Sequence, residues 1–344
     1  MNGVFIHGVG AVSPAGWGAM AMHEALRKRE QIPFAPLARS GWDKPILARA
    51  VPPPAQRPAF LAHPRLRRSS VITQHTVGAA LEALGQDAGK FQNGSERLGI
   101  LVCLMSGGVT YSRRFYEEVM KDPFTASPML FPETVFNAPG SHVAAYLNAK
   151  GINYTLVGDE SAFLHGLAIG AGWLMNDEVD GCLIIGAEEL DWLIADAIRL
   201  FARKAIQASG AGAIYLRREK TASAAELAAV TDAFPFSSWE SRSRAAKAMR
   251  AQLPAESANT VLCLGTQGLP VRDAHELEAW RDWNGVRIAP KELFGEGFTA
   301  SAAWQCVAAC HALPQDQFQA ANISVVGANQ QAIGARFVRS SQTS

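Results

Sequence analysis

Side chains that could act as an acid, a base or a nucleophile stand together at Asp159, Glu160 and Ser161, and His165 follows four residues after Ser161. Residues four apart share one face of a helix, so Ser161 and His165 could form the nucleophile and general base of an acyltransferase or hydrolase. No acid at a recognisable spacing would orient the histidine. The simpler interpretation makes Ser161 a small residue at a helix start and His165 a polar core or interface residue.

The surrounding segments predict a turn from a strand into a helix at these residues. An apolar strand pattern covers 152–157, and small residues at helical spacing follow over 161–175. The carboxylate of Glu160 would then stand at a helix N-terminus, where the helix dipole favours a negative charge by about 0.3–1 kcal/mol. We therefore expect Glu160 to cap the turn and to pair with a cation.

Alternating strands and helices fill the remainder of the chain and predict an α/β layered fold. Continuous apolar runs at 98–104 and 181–186 are typical of strands buried on both faces. The other predicted elements are strands at 4–6, 213–217, 260–264 and 323–326 and helices at 17–29, 70–85, 110–121, 272–283 and 298–313. A glycine-rich turn is predicted at 8–10, a surface loop at 51–68 and a loop or insertion at 235–258.

The composition excludes several classes of function. The net charge is +1, which gives no overall signal for nucleic acid or an anionic membrane. No run of about 18 apolar residues predicts a membrane span, and the N-terminus does not resemble a signal peptide. The short cluster Arg65, Arg67 and Arg68 fits a solvated helix start or a docking patch for an acidic carrier protein.

The cysteines and histidines predict neither disulfides nor a metal site. None of the five cysteines forms a CxxC pair, and most stand in apolar runs, as expected for reduced core residues of a cytoplasmic protein. His7, His142, His275 and His311 have no metal-ligand spacing. Gly8 and Gly10 match an incomplete nucleotide-binding turn. We therefore expect no metal and no cofactor.

Several segments, in order, resemble those of β-ketoacyl synthases with the thiolase fold. Each motif is weak alone, and the ordered set is what is specific. The segments are VFIHGVGAVSPAG, FPETVFNAPGSHVAAYLNAKG, NYTLVGDESAFLHGLAIGAGWL, DEVDGCLIIGAEE, SGAGAIYLRR, LGTQGLP, KELFGEGFTASAA and NISVVGANQQA. The resemblance implies a layered αβαβα fold of two related halves, 1–205 and 206–344, each with a mainly parallel five-stranded sheet.

The same resemblance implies that the condensing residues are missing. Active members carry a cysteine nucleophile at the strand-to-helix turn and two histidines on later loops. Here the nucleophile position falls on Glu160, and the histidine positions fall on Leu264 and Glu296. Lys291, the lysine five residues before the second histidine position, is retained. A carboxylate cannot form an acyl thioester, so we expect no condensing activity from this chain alone.

In chain-length factors, one helix points side chains across the dimer interface into the end of the partner's acyl tunnel. The segment 106–119 resembles that helix. By this resemblance the tunnel or interface residues are Val109, Tyr111, Phe115, Phe136 and Phe163, with Val119 as a further candidate. Simple packing at an interface is the alternative role for these side chains.

The resemblance implies a non-condensing subunit that pairs with an active ketosynthase through the edge at 150–158. Such a chain would shape the tunnel for a polyketide or fatty-acyl product and meet the acyl carrier protein indirectly. The small size and Glu160 resemble partner subunits of bacterial aryl polyene or related pigment pathways. Two alternatives stay open at this point: an independent malonyl-carrier decarboxylase or hydrolase using Glu160 or Ser161, and a non-enzymatic homodimer that binds acyl groups or carrier protein.

Overall fold

The computed structural model describes residues 3–39, 41–221, 225–256, 258–315, 318–328 and 330–340. The strands are β1 (Phe5–Ser13), β2 (Gly16–Trp17), β3 (Ala35–Leu37), β4 (Ile46–Arg49), β5 (Leu98–Leu104), β6 (Asn153–Val157), β7 (Gly181–Glu188), β8 (Gln207–Ala208), β9 (Gly210–Arg217), β10 (Ala225–Val230), β11 (Phe234–Pro235), β12 (Thr260–Cys263), β13 (Arg287–Ile288), β14 (Ala320–Val326) and β15 (Gln331–Arg339). The α-helices are α1 (Ala19–Lys28), α2 (Val71–Leu84), α3 (Ala88–Gln92), α4 (Val109–Lys121), α5 (Ala138–Tyr146), α6 (Ser161–Met175), α7 (Trp192–Phe201), α8 (Trp239–Ala251), α9 (Pro270–Ala279), α10 (Pro290–Phe294) and α11 (Thr299–Gln315).

The strand order repeats in two groups of five. The hydrogen-bonded path runs β13-β12-β14-β15-β10-β1-β9-β7-β5-β6. In each group the third strand along the chain lies outermost, followed by the second, fourth, fifth and first. The fifth strand is antiparallel to its neighbours, whereas the second, third and fourth pair in parallel. The two groups meet through a short antiparallel contact between β1 and β10.

Strand pairing bears on where the two halves divide. β9 lies between β7 and β1, so it completes the first group of strands. The division at 205/206 stays a prediction. Because β9 belongs to the first group, we propose a boundary after Arg217 instead. Residues 341–344 of the predicted second half, and Asn329 of the predicted closing glycine loop, lie outside the described residues.

Helices cover both outer faces of the strand groups and also separate them. α2 and α5 pack on the outer face of the first group. α8 and α9 pack together on the outer side of the second group. Between the groups lie α6 and α11, and each contacts strands of both. The result is the αβαβα layering that the sequence predicts.

Small residues let α6 lie close to the sheet, which fixes the turn before it. All seven residues of β5 are buried, as expected for a strand covered on both faces. A Cβ on Gly166 would lie 3.0 Å from the Cys103 sulfur, and one on Gly170 would lie 2.8 Å from that of Cys182. Larger side chains at these two positions would push the helix, and the turn at Glu160, away from the strands.

Two local predictions are wrong. Gly8 and Gly10 lie within β1 rather than in a turn, and a Cβ on either would clash with a backbone carbonyl of α2. Glycine is needed there because helix and strand approach closely. The segment 235–258, predicted as a loop or insertion, contains α8, which begins with a capping box at Ser238. Its charged residues hide the amphipathic pattern.

The cysteines and the helices agree with two compositional expectations. All five cysteines are free, and four of them are buried. Within the described ranges, no helix combines the length and the apolar character required to cross a membrane. The same ranges contain no group of three or more acidic, cysteine or histidine side chains that could hold a metal ion.

Candidate functional site

Glu160 stands at the turn between β6 and α6 and is almost completely buried. Its side chain makes no capping hydrogen bond to α6; Asp159 accepts from the Ser161 N–H instead, at 3.1 Å. Glu160 Oε1 accepts from Lys291 Nζ at 2.7 Å, and Oε2 accepts from the Ala328 N–H at 2.9 Å. The expected cation pair is therefore present, but the expected capping role belongs to Asp159.

Lys291 joins Glu160 to a second buried carboxylate. Its Nζ lies 2.8 Å from Glu296 Oε2, and both side chains are buried. Gln267 Nε2 donates to the same oxygen at 2.5 Å, and the Phe298 N–H donates to Glu296 Oε1 at 2.8 Å. We call Glu160, Lys291 and Glu296 the central ion network. Each of its carboxylate oxygens has a donor, so the network is satisfied within the chain.

The local sequence around α10 aims Lys291 and Glu296 at each other. Pro290 starts this short helix, where a missing N–H costs nothing. Gly295 ends it with φ 91°, and a Cβ there would lie 2.6 Å from the Ile206 carbonyl oxygen. The chain then runs beside β8, with the Glu296 N–H donating to Ile206 at 2.7 Å. Glycine at 295 thus turns Glu296 back towards Lys291.

Burial and mutual charge separate the pKa values of the two carboxyls. Burial alone would raise the pKa of Glu160, but the Lys291 ammonium outweighs it and lowers that pKa. Burial raises the pKa of Glu296, and the charge of Glu160 raises it further against the pull of Lys291. Burial would lower the pKa of Lys291, yet its two carboxylate partners raise it. Glu160 and Lys291 are therefore the charged core of the network.

An apolar cavity of about 280 Å³ opens beside the central ion network, and we call it the inner cavity. α7 supplies one wall, through Ile194, Ile198 and Phe201. The polar groups at the cavity include Gln267, Arg272 and Glu296. Sequence reasoning missed Gln267 and Arg272. Gln267 could have been found, because it stands three residues after Leu264 in the segment that resembles a catalytic loop.

Leu264 itself turns away from the network. It is buried in the apolar cluster beneath α8 and α9, and its N–H donates to the Ile288 carbonyl at 2.8 Å. The loop that follows reaches the site through Gln267, while the Thr266 hydroxyl donates to Glu292 at 2.8 Å. Of the three residues at the predicted nucleophile and histidine positions, Glu160 and Glu296 converge, whereas Leu264 packs into the core.

No thiol or imidazole reaches the inner cavity from the described residues that line it. Cys103 is the thiol near the turn, and its Sγ lies 3.4 Å from the Ala162 carbonyl oxygen. It is fully buried on β5, and burial raises its pKa. A thiol without water access or a thiolate-stabilising cation is a poor nucleophile.

Ser161 and His165 do not form a nucleophile–base pair. Ser161 is fully buried, and its hydroxyl donates to Asp159 Oδ1 at 2.5 Å. Gln331 stands between the two, because its Nε2 donates to Ser161 Oγ at 3.0 Å and lies 2.6 Å from His165 Nε2. In a hydrolytic triad the histidine would contact the serine and the acid would contact the histidine. This arrangement lacks both contacts.

The five predicted tunnel residues divide between surface and core. Val109 is buried at the start of α4, Tyr111 donates from its hydroxyl to the Arg68 carbonyl at 2.9 Å, and Phe115 packs against Phe131 with ring centroids 5.7 Å apart. Phe136 is 44% exposed. Phe163 is fully buried in the central helical layer. It therefore faces no surface of this chain, and its role at the tunnel stays a prediction.

Two buried carboxyls hold the segment that leads into α4. Glu188 accepts from the N–H groups of Met105 and Ser106 and from the Ser106 hydroxyl. Glu189 accepts from the Thr110 N–H at 2.7 Å. Burial raises the pKa of Glu188 to about 8 and that of Glu189 to about 7. These residues fix where α4 starts, and sequence reasoning did not single them out.

An unpaired strand edge and an apolar surface lie on the same half of the chain. Among the described strands, β6 pairs with β5 alone. Tyr154 and Val157 of β6 are each 56% exposed. On α4 and the segment after it, the exposed apolar side chains are Tyr116, Met120, Phe124, Met129, Phe131, Val135 and Phe136. Unpaired strand edges and large exposed apolar patches are uncommon on monomeric proteins and typical of protein interaction sites.

Comparison with solved structures places the fold. The ishigamide ketosynthase/chain length factor matches with a TM-score of 0.80 at 18% identity, over 99% of this chain and 100% of that one. A type II polyketide synthase acyl-carrier protein in complex with its ketosynthase matches with a TM-score of 0.80 at 15% identity, over 98% and 99%. A β-ketoacyl synthase from Burkholderia phymatum matches with a TM-score of 0.79 at 15% identity, over 99% and 100%.

Sequence comparison adds no narrower assignment, because neither a protein-family model nor a curated protein matches. At 15–18% sequence identity, the structural matches show the fold of the chain and not its activity. The chain has the layered thiolase-like fold of the β-ketoacyl synthases, as its sequence motifs predict.

Proposed function

We propose that this chain is a non-condensing subunit that forms a heterodimer with an active ketosynthase and shapes its acyl tunnel, as a chain-length factor does. The observation that carries the proposal is the central ion network. At the turn where a ketosynthase of this fold needs its nucleophile, the chain places a carboxylate that is already bonded to Lys291 and to the Ala328 N–H. The role that remains for the chain is to bind the ketosynthase and to shape its acyl tunnel.

Chemistry at the network supports no condensation step. Claisen condensation needs a nucleophile that forms a thioester and donors that stabilise the enolate of the extender. Glu160 cannot form the thioester, and Glu296 occupies one donor position as an acceptor of hydrogen bonds from Gln267 and Phe298. A malonyl carboxylate would meet the carboxyls of Glu160 and Glu296, whose donors are already engaged within the chain, so the network offers it no free donor and the decarboxylase alternative is disfavoured.

The surface supports a partner at the edge of β6. An edge strand with free backbone groups can be extended by a strand from another chain. The exposed aromatic and methionine side chains of α4 lie in the same half, and these residue types are enriched at interfaces. A ketosynthase of the same fold presents the corresponding edge, and one of the matched structures is a ketosynthase/chain length factor.

The proposed pair would build polyketide or fatty-acyl chains on an acyl carrier protein that the ketosynthase binds. Side chains at the start of α4, held in place by Glu188 and Glu189, would limit how far the chain grows. Our narrower prediction is an aryl polyene or related pigment pathway. A cytoplasmic location agrees with the five free cysteines.

Reconstitution tests the proposal. A candidate partner ketosynthase with an intact cysteine and two histidines, a holo carrier protein and malonyl extender are assayed with and without the chain. We expect condensation and a defined product length only when both subunits are present. A ketosynthase that is equally active and equally selective alone would contradict the proposal.

Matched variants separate the proposed role from independent catalysis. A complex that carries Ser161→Ala, or Glu160→Gln after its folding has been verified, should keep its condensing rate within about twofold. The isolated chain should not turn over malonyl-carrier or acyl thioesters. Turnover by the isolated chain that Glu160→Gln or Ser161→Ala abolishes would establish a decarboxylase or hydrolase instead.

A further inference from the structure

A second cavity of about 350 Å³ lies against the inner cavity, and we call it the mouth. The two cavities share Phe201, Arg272 and Ala328 in their walls, so they are neighbouring parts of one recess. Aromatic side chains, among them Phe236 and Trp239, line the mouth. The recess is therefore polar and aromatic towards solvent and apolar towards its inner end.

Two arginines without a carboxylate partner face the mouth. Within the described residues, neither Arg242 nor Arg272 forms an ion pair. Arg242 is only 6% exposed; its terminal nitrogens donate to the carbonyls of Gly327 and Val326, while its Nε has no partner among those residues. Burial lowers the pKa of Arg242, and the charge of Arg272 lowers it further. Two like charges held together in this way favour an anion between them.

The surroundings add to the positive potential at the mouth. α8 has thirteen residues and begins at Trp239, on the mouth wall, so the positive end of its dipole lies there. Four buried carboxyls act electrostatically on Arg242 or Arg272, and each has another partner in the chain. Glu160 and Glu296 are bonded to Lys291. Glu276 accepts from the Ser324 hydroxyl and the Gly265 N–H, and Asp159 accepts from Ser161. Among the described residues, none of the four forms an ion pair with either guanidinium.

We propose that the recess binds a free medium-chain carboxylate, with its head group between Arg242 and Arg272 and its alkyl chain in the inner cavity. An arginine fork matches the geometry of a carboxylate, and we assign that contact to Arg272, whose one hydrogen bond among the described residues goes to the Ala328 carbonyl at 3.4 Å. The inner cavity provides an apolar wall from Ile194, Ile198 and Phe201. This binding goes beyond the proposed partnership, because it needs no ketosynthase and no thioester. It would let the chain sense a free acid.

Calorimetric titration of the full chain with decanoate tests the site, with decanol as the uncharged probe of equal length. We expect saturable decanoate binding, roughly tenfold tighter than that of decanol. Arg272→Gln should remove that preference and leave decanol binding unchanged. Arg281→Gln, which alters an exposed arginine beyond the C-terminus of α9, should change neither affinity.

A cavity-filling variant locates the alkyl chain. Ala197→Trp, on α7 at the inner cavity, should weaken binding of decanoate and decanol alike. Equal affinity for acid and alcohol, or a preference that survives Arg272→Gln, would overturn the assignment of the head group. If decanoyl pantetheine 4′-phosphate binds about tenfold tighter than decanoate, the recess is a thioester site and the free-acid proposal is wrong.

Discussion

The central ion network and the outer edge of the sheet differ in how many of their hydrogen-bonding groups find partners within the chain. In the network, every carboxylate oxygen of Glu160 and Glu296 has a donor. At the edge, β6 pairs on one side only among the described strands, and Tyr154 and Val157 remain more than half exposed. The interior site is satisfied within the chain, whereas the edge can still accept another molecule.

This contrast separates a satisfied interior from an open surface. A fold that usually carries chemistry at its centre here fills that centre with its own charges. The surface, in contrast, exposes large apolar side chains, such as Phe124 at 98% exposure. The following variants test whether the interior is structural and the edge functional.

The largest expected effect is on the interior. Lys291→Met removes the cation that Glu160 and Glu296 share and leaves two carboxylates buried together. Removal of one partner from a buried ion pair typically costs about 3–5 kcal/mol. We expect a loss of that size in the free energy of unfolding, measured by urea denaturation.

Two control variants test whether the effect of Lys291→Met comes from the buried charges. Lys28→Met breaks a half-exposed pair with Glu24 and should change stability by less than about 0.5 kcal/mol. The triple variant Glu160→Gln, Lys291→Met and Glu296→Gln removes all three charges and should recover most of the loss. If Lys291→Met is as mild as Lys28→Met, the network is not structural and the contrast fails.

A pH titration of stability measures the cost of placing an unpaired positive charge in the interior. His75 on α2 is buried against Trp17, and burial lowers its pKa to about 4. The unfolded chain binds a proton near pH 6.5, so stability is present above that pH and is lost as pH falls towards 4. The total loss is about 3 kcal/mol at 1.36 kcal/mol per pH unit.

His75→Phe keeps a ring against Trp17 and removes this titration. The difference in unfolding free energy between parent and variant should therefore shrink as pH falls from 7 to 4.5. The difference matters because Glu188, with its pKa raised to about 8, contributes in the opposite direction. A parent-minus-variant difference that does not depend on pH would show that His75 can be protonated without cost.

At the edge we expect a loss of association without a loss of stability. Tyr154→Asp places a charge on the exposed strand, and interface anchors typically contribute 2 kcal/mol or more, about thirtyfold in affinity. Binding to the ketosynthase, measured by calorimetry, should weaken by about that factor, with unfolding unchanged within about 0.5 kcal/mol. Val271→Asp, equally apolar and 78% exposed on α9, is the matched control and should leave binding intact.

The smallest expected effect on stability belongs to a residue that would affect the product. Phe136→Ala removes a half-exposed ring and should change unfolding by less than about 0.5 kcal/mol. In the reconstituted complex it should lengthen the product, detected by mass spectrometry. Fully buried Phe163 provides the contrast, since Phe163→Ala should cost about 3–5 kcal/mol. An unchanged product length would assign Phe136 to simple packing.

The sequence predicts the fold well because its strongest signals are covered strands and small-residue helices. The strand at 98–104 and the helix at 161–175 match the structure at both ends. α8 was missed because its exposed charges weaken the hydrophobic pattern. Gly8 and Gly10 were misassigned because glycine in a close helix–strand contact resembles glycine in a turn.

The site is predictable only in part, for a physical reason. Motif spacing indicates that Glu160, Lys291 and Glu296 share one site, because Glu160 and Glu296 stand at positions that must converge and Lys291 is the lysine retained near the second of them. It cannot show that Gln331 separates Ser161 from His165, since that contact joins positions 170 residues apart. Nor could spacing reveal that Arg242 and Arg272 line the same mouth.

The shared lysine also makes the present arrangement of charges hard to change by single substitutions. A change of Glu160 to cysteine strands the ammonium beside Glu296, and a change of Glu296 to histidine removes one of its two anions. Each intermediate would be less stable than the present chain before any catalysis could reward it. The network therefore resists the replacement of any one of its three members alone.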